Sequence, residues 1–123
     1  MKSIALLAAI GVASAADKVK IDLFYESQCP GCRQMITTSF AEAFKADGFL
    51  DMAEVNLWPY GNAHEKQTAT GWEFTCQHGE AECQYNLIEA CSTNMISCPM
   101  MRQNFIDCIE QKDSTTDYEG VAT

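Results

Sequence analysis

Two cysteines separated by two residues, Cys29 and Cys32, are the residues of this chain whose types and spacing best suit chemistry. They follow an alternating pattern typical of a strand and precede a helical pattern that Pro30 opens. A thiolate at the first turn of a helix is stabilised by the helix dipole and by unpaired backbone N–H groups. The second cysteine lies one turn further on and can close a ring with the first. The pair therefore predicts disulfide exchange, in which Cys29 attacks a substrate disulfide and Cys32 resolves the mixed disulfide.

Simpler interpretations of the same pair stay open at this point. Cys29 and Cys32 could form a structural disulfide, or one half of a zinc site. No second CxxC is present to complete such a site, and only Cys76 and His78 approach a Cys–His pair at metal spacing. His78 could instead serve as an acid–base partner of the thiols, although packed or capping histidines are commoner in such loops. Arg33 would favour a thiolate, although a solvated helix residue is the simpler interpretation. The sequence predicts no cofactor and no bound metal.

The elements that must position the two thiols form a strand–helix–strand unit. Residues 19–25 alternate between apolar and polar, apolar residues recur at helical spacing until Gly48, and residues 52–58 alternate again. Two strands joined in this way are parallel, with a right-handed connection. Residues 62–72 are predicted to be a loop, and Trp58 and Trp72 are predicted to lie in the core.

The second half of the chain is predicted to be helical. It contains the other five cysteines: Cys76, Cys83, Cys91, Cys98 and Cys108. Cys83 and Cys91 share one face of a helix and lie about 12 Å apart along its axis. Bridged Cα atoms lie within about 7 Å of each other, so each of these two cysteines must pair with another element. A second helix, opened by Pro99, is predicted to bury three residues: Met101, Phe105 and Ile109.

The chain opens with the features of a secretory signal. A basic Lys2 precedes an apolar run over residues 4–13, and residues 13–15 form an A-x-A cleavage site. The run is shorter than the roughly 20 apolar residues that span a bilayer. We therefore expect residues 1–16 to be a signal peptide, and residues 17–123 to form one domain that enters an oxidising pathway.

Charge and composition exclude one class of partner. The chain has 17 acidic and 8 basic residues, which gives a formal net charge of −9. No basic cluster is longer than a pair of residues, so no nucleic-acid partner is expected. No segment after the signal is long and apolar enough to predict a membrane span.

The cysteines of the second half lie within a pattern that resembles a known family. Cys76-Gln77-His78-Gly79, Glu82-Cys83, Asn86 and Cys91 reproduce the CQHG-x2-EC-x2-N-x4-C signature of the gamma-interferon-inducible lysosomal thiol reductases. The CxxC motif lies upstream at the spacing that this family shows. The resemblance covers roughly residues 19–111.

This resemblance implies a fold and an activity. It implies an α/β, thioredoxin-like βαβ unit with a disulfide-stapled helical insertion, incomplete at the C-terminus because family members continue beyond the position of Thr123. It also implies a lysosomal or secreted thiol reductase that cleaves protein disulfides, recharged by a small thiol or a thioredoxin-like reductant. Two alternatives to a thiol reductase stay open: a disulfide isomerase or oxidase, and a non-catalytic secreted module. Seven cysteines leave at least one unpaired, which predicts some disulfide-linked dimer.

Overall fold

A parallel strand–helix–strand unit forms the first half of the structure. The computed structural model describes residues 17–112, so the predicted signal peptide lies outside the described residues. Strand β1 (Val19–Tyr25) pairs with β2 (Ala53–Pro59) in parallel, in register from Val19 opposite Ala53 to Tyr25 opposite Pro59. The predicted βαβ unit is confirmed, and its first strand ends four residues before Cys29.

The connecting helix changes its hydrogen-bond pattern midway. It begins as α1 (Pro30–Met35), continues as a π-helical turn (Ile36–Phe40), and ends as α2 (Ala41–Lys45). The carbonyl of Ile36 accepts a hydrogen bond from Nε2 of the buried Gln103, at 3.3 Å. That carbonyl also accepts the backbone N–H of Ala41 in the i→i+5 pattern of a π-helix, so Gln103 is its second donor. A short helix α3 (Phe49–Met52) then leads into β2.

An antiparallel hairpin follows where a loop was predicted. Strand β3 (His64–Thr68) pairs with β4 (Gly71–Thr75), so the loop prediction for residues 62–72 is wrong. Every residue of β3 is polar, and the strand has no buried face. Alternation of apolar and polar residues signals a half-buried strand, and an exposed hairpin has no reason to show it.

Two helices complete the described chain, and the predicted burial of Ile109 on the second one is confirmed. Helix α4 (Glu80–Met95) buries a largely polar stripe at helical spacing: Glu82, Tyr85, Asn86, Glu89 and Ser92. Helix α5 (Pro99–Glu110) buries Gln103, Ile106, Ile109 and Glu110. Met101 is 64% exposed, so its predicted burial is wrong.

The core lies between the βαβ unit and α5. Its buried residues are Tyr25, Ile36, Phe44, Ala53, Val55, Leu57 and Ile106. Trp58 and Trp72 are 50% and 58% exposed, so the prediction that they lie in the core is wrong. Trp58 stacks on Phe24 at the surface. Trp72 borders an open groove beside α4. The mixed α/β prediction is confirmed, while the thioredoxin-like fold stays a prediction. No helix between residues 17 and 112 is long and apolar enough to cross a membrane.

Candidate active site

The two thiols of the CxxC motif lie at the start of α1. Cys29 is the N-cap residue with extended backbone angles, and its carbonyl accepts the N–H of Arg33 at 3.0 Å. Both cysteines are free and partly exposed, and their side chains are hydrogen-bonded to each other. Burial raises the pKa of the Cys32 thiol, and the neighbouring Cys29 adds to that rise. Cys32 therefore holds its proton, while the helix N-terminus lies at Cys29.

The loop before the motif is held by α4. The backbone N–H of Ser27 donates to Oδ1 of Asn86 at 3.0 Å, and the Ser27 hydroxyl donates to the carbonyl of Glu82 at 3.2 Å. All three residues are buried. Because a buried donor without a partner is costly, these bonds fix the position of the chain two residues before Cys29.

An ion-pair cluster joins the same loop to the segment before α4. Nδ1 of His78 lies 2.5 Å from Oε2 of Glu82 and 3.6 Å from Oε2 of Glu26. The other oxygen of Glu26 accepts the backbone N–H of Asn62 at 2.7 Å. The buried carboxylates of Glu26 and Glu82 thus share one imidazole, which links β1, the turn after β2, and α4.

Among the described residues, Glu26, His78 and Glu82 are the set that could hold a metal ion, with ligand atoms within 4.8 Å of one another. Tetrahedral zinc bonds of about 2.0–2.2 Å place ligand atoms roughly 3.3 Å apart. The 2.5 Å separation of His78 and Glu82 is instead that of a charge-assisted hydrogen bond. Cys76, the other half of the Cys–His pair considered from sequence, is bonded to another sulfur.

That bond is the disulfide between Cys76 and Cys83, whose Cα atoms are 5.6 Å apart. It closes the His78 loop onto the first turns of α4. The inference that Cys83 pairs with a residue outside its own helix is therefore confirmed, whereas the same inference for Cys91 is wrong, because Cys91 is free. Cys91, Cys98 and Cys108 are free and exposed, and the disulfide-linked dimer stays a prediction.

Gly61 allows the turn after β2 to approach the loop. Its φ of +56° is left-handed, and a Cβ built on it would lie 2.2 Å from Cγ of Glu26. Both the backbone angle and the close approach favour glycine here. The approach places the N–H of Asn62 on the Glu26 carboxylate.

A match to a known protein family identifies the family to which this chain belongs. The family model described as gamma interferon inducible lysosomal thiol reductase (GILT) matches residues 20–122. The chain belongs to the GILT family.

Individual relatives agree with this membership. A gamma-interferon-responsive lysosomal thiol protein of Arabidopsis thaliana is 38% identical over 99 residues, which cover 80% of this chain and 41% of the relative. Gamma-interferon-inducible lysosomal thiol reductases of Carassius auratus and Mus musculus are 43% and 35% identical, over 62% and 77% of this chain. These two matches cover 30% and 37% of the relatives. The chain therefore spans less than half the length of these three GILT relatives.

The geometry gives the GILT signature residues of this chain distinct tasks. Cys76 and Cys83 close the loop, His78 and Glu82 form the ion pair, and Asn86 accepts the N–H of Ser27. None of these side chains is itself the dithiol. They hold the loop that leads into the CxxC motif.

A second group of buried polar residues, which sequence reasoning missed, connects α4 and α5 to β1 and α1. Glu89 is 0% and Glu110 3% exposed. The Tyr25 hydroxyl donates to Oε2 of Glu89 at 2.6 Å, and Nε of Arg33 lies 3.2 Å from Oε2 of Glu110. Burial raises the pKa of both carboxyls, and Arg33 opposes the rise. Acidic residues at helical spacing normally indicate a solvated face, so only the structure could reveal this pair.

Substitution of Asn86 tests whether α4 positions the loop. Asn86→Ala leaves the buried N–H of Ser27 without its acceptor, so we expect a loss of about 1–3 kcal/mol in the free energy of unfolding. We also expect slower alkylation of Cys29 by iodoacetamide in the folded protein, measured by mass spectrometry of the labelled peptide. The matched control is Asn104→Ala, an exposed asparagine on α5. Equal stability and equal alkylation rates in the two variants would contradict a positioning role for Asn86.

Proposed function

We propose that this chain contributes the redox dithiol of a thiol reductase, with Cys29 as the attacking sulfur and Cys32 as the resolving sulfur. The single observation that supports this best is the placement of two free, partly exposed thiols in the first turn of a helix, hydrogen-bonded to each other. Membership of a family named for thiol reduction supports the reaction class.

The reaction runs in two balanced steps. The Cys29 thiolate attacks one sulfur of a substrate disulfide, which forms a mixed disulfide and releases a substrate thiolate that takes up a proton from water. Cys32 then loses its proton and attacks the Cys29 sulfur, which forms the Cys29–Cys32 disulfide and releases the second substrate thiol. Two electrons pass from the dithiol to the substrate. A small thiol or a thioredoxin-like protein would restore the dithiol.

The substrates we propose are disulfide-containing proteins, encountered in an acidic endosomal or lysosomal compartment or outside the cell. The relatives named lysosomal support this location. A helix N-terminus favours a thiolate over a thiol, and the thiolate is the form that attacks.

The direction of exchange separates a reductase from an isomerase or oxidase. We expect a Cys29–Cys32 reduction potential more negative than the about −180 mV of protein disulfide isomerase, and insulin reduction at both pH 5 and pH 7. Equilibration with glutathione buffers measures the potential, and insulin precipitation measures the activity. A potential near the about −120 mV of strong oxidants would favour the oxidase. If Cys29 and Cys32 exchange with no disulfide substrate at all, the result would favour the non-catalytic module.

A further inference from the structure

An open groove lies between α4, the β3–β4 hairpin and the turn after β2. Its volume is about 650 Å³, which is within the range of sites that hold a ligand. Three large apolar side chains in its walls are more than half exposed: Trp72 and Phe74 from β4, and Leu87 from α4. Single exposed apolar residues are ordinary, whereas exposed apolar residues gathered in one concave site mark a binding surface.

The groove adjoins the loop that leads into the CxxC motif. Tyr60 and Asn86 both line it. The backbone N–H of Tyr60 donates to the carbonyl of Tyr25 at 2.9 Å, and Oδ1 of Asn86 accepts the backbone N–H of Ser27. Cys29 follows Ser27 by two residues, which span at most about 7 Å even when fully extended. A polypeptide in the groove would therefore hold a cysteine a few residues away within reach of Cys29.

Asn86 also has a hydrogen-bond donor that is not used. The residue is 6% exposed, and its Nδ2 is buried without an acceptor among the described residues. Its Oδ1 is already bonded to Ser27. A buried donor without an acceptor is costly, so a ligand that brings one is favoured. A polypeptide in an extended conformation presents backbone carbonyls, which are acceptors of this kind.

The charges around the groove indicate what kind of polypeptide would bind. Glu80 is the charged residue that lines the groove within residues 17–112, and Glu65 accepts a hydrogen bond from the hydroxyl of Tyr60 in its wall. Both are acidic, and the whole chain has a formal net charge of −9. A second copy of the chain would bring the same negative charge, so repulsion opposes it. Basic residues beside an apolar segment would instead be attracted.

We propose that this groove binds an extended apolar segment of a disulfide-containing polypeptide, flanked by basic residues, and so presents a nearby cysteine of that polypeptide to Cys29. The assignment rests on the proposed function of the dithiol and names the class of substrate. Folded proteins bury most of their large apolar side chains. The groove therefore selects unfolded or partly unfolded chains, in which such a segment is accessible.

Binding is measured first, without any redox step. Trp58→Phe leaves Trp72 as the single tryptophan of the chain, so its fluorescence reports on the groove. The probe is a synthetic peptide without cysteine, in which a run of leucine and phenylalanine lies between lysines. We expect the emission to shift to shorter wavelength and to saturate with this peptide, and to stay unchanged when serines replace the apolar run. Glutamates in place of the lysines should weaken binding several-fold, and equal affinity would contradict the basic flanks.

Reduction is measured next, with a peptide of the same design that carries one cysteine in a mixed disulfide with free cysteine. Glutathione disulfide is the reference substrate, because it has no apolar segment. In Leu87→Ser and Phe74→Ser we expect kcat/KM for the peptide to fall about 10-fold relative to kcat/KM for glutathione disulfide, chiefly through KM. The matched control is Met101→Ser, at an exposed apolar residue of α5 outside the groove, which should keep the wild-type ratio.

The outcomes separate the groove from the dithiol. Unchanged Trp72 emission with the apolar peptide would overturn the proposal, and so would a ratio within twofold of the wild type in both groove variants. A wild-type dimer in sedimentation that Leu87→Ser dissociates would assign the groove to a second copy and would also overturn it. A wild type that reduces neither the peptide nor glutathione disulfide would instead overturn the proposed function, while the fluorescence titration would still test the groove.

Discussion

The melting temperature of the folded chain is expected to be roughly 10 °C higher at pH 5 than at pH 7. The cause is the buried pair, because burial raises the pKa of Glu89 from 4.5 to about 8. Below about pH 4.5 the carboxyl is protonated in both the folded and the unfolded chain, so its contribution does not vary. Between that value and about 8 the folded chain keeps a proton that the unfolded chain has released. Each pH unit in that window lowers the free energy of unfolding by about 1.4 kcal/mol per proton.

Glu110→Gln isolates this effect from every other titrating group. Burial also raises the pKa of Glu110, and the amide does not titrate, so the dependence of melting temperature on pH should become shallower. Arg33 stays bound, because it also donates to the backbone carbonyl of Glu110. Calorimetry from pH 5 to pH 7 measures the slope, with Glu42→Gln as the exposed control. The same slope in the wild type and both variants would show that Glu89 and Glu110 titrate as ordinary exposed carboxyls do.

The redox motif and its supporting unit could be predicted because their signals are local. The CxxC spacing, the opening proline at position 30 and the two alternating strands each depend on residues near in sequence. The structure places Cys29 and Cys32 where these signals indicated, in the first turn of α1. The contacts that hold the loop could not be predicted, because Ser27 and Asn86 are 59 residues apart and neither forms part of an apolar pattern.

The burial of polar residues on α4 was also beyond what the sequence could predict. The buried stripe of α4 contains Glu82 and Glu89, and hydrophobic periodicity assigns such residues to the solvent. Outside this stripe, the apolar Leu87 is 60% exposed. A polar stripe of this kind can be buried when other elements supply hydrogen-bond partners for its side chains. The Tyr25 hydroxyl is the partner of Glu89, and the His78 imidazole is the partner of Glu82. Those partners lie on other elements, so they become visible only in the fold.

Replacement of Cys29 by serine is expected to reduce disulfide exchange with a protein substrate to the uncatalysed rate. The hydroxyl that replaces the thiol cannot attack a disulfide, and Cys32 is held protonated by its partial burial. Cys32→Ser should behave differently, because Cys29 still attacks while nothing resolves the product. We therefore expect single-step reactivity without turnover in Cys32→Ser. Cys98→Ser, at an exposed free thiol, serves as the control and should turn over at the wild-type rate.

Peptide mapping of trapped adducts tests the assignment of the two sulfurs most directly. Each variant is incubated with a disulfide-containing protein, quenched in acid, digested without reduction, and analysed by mass spectrometry. We expect a substrate peptide disulfide-linked to Cys29 in Cys32→Ser, and no linked peptide at Cys32 in Cys29→Ser. An adduct on Cys32 in Cys29→Ser, with Cys29 unmodified in Cys32→Ser, would reverse the roles of the two thiols, and the absence of any adduct in both variants would contradict a reductase dithiol in this chain.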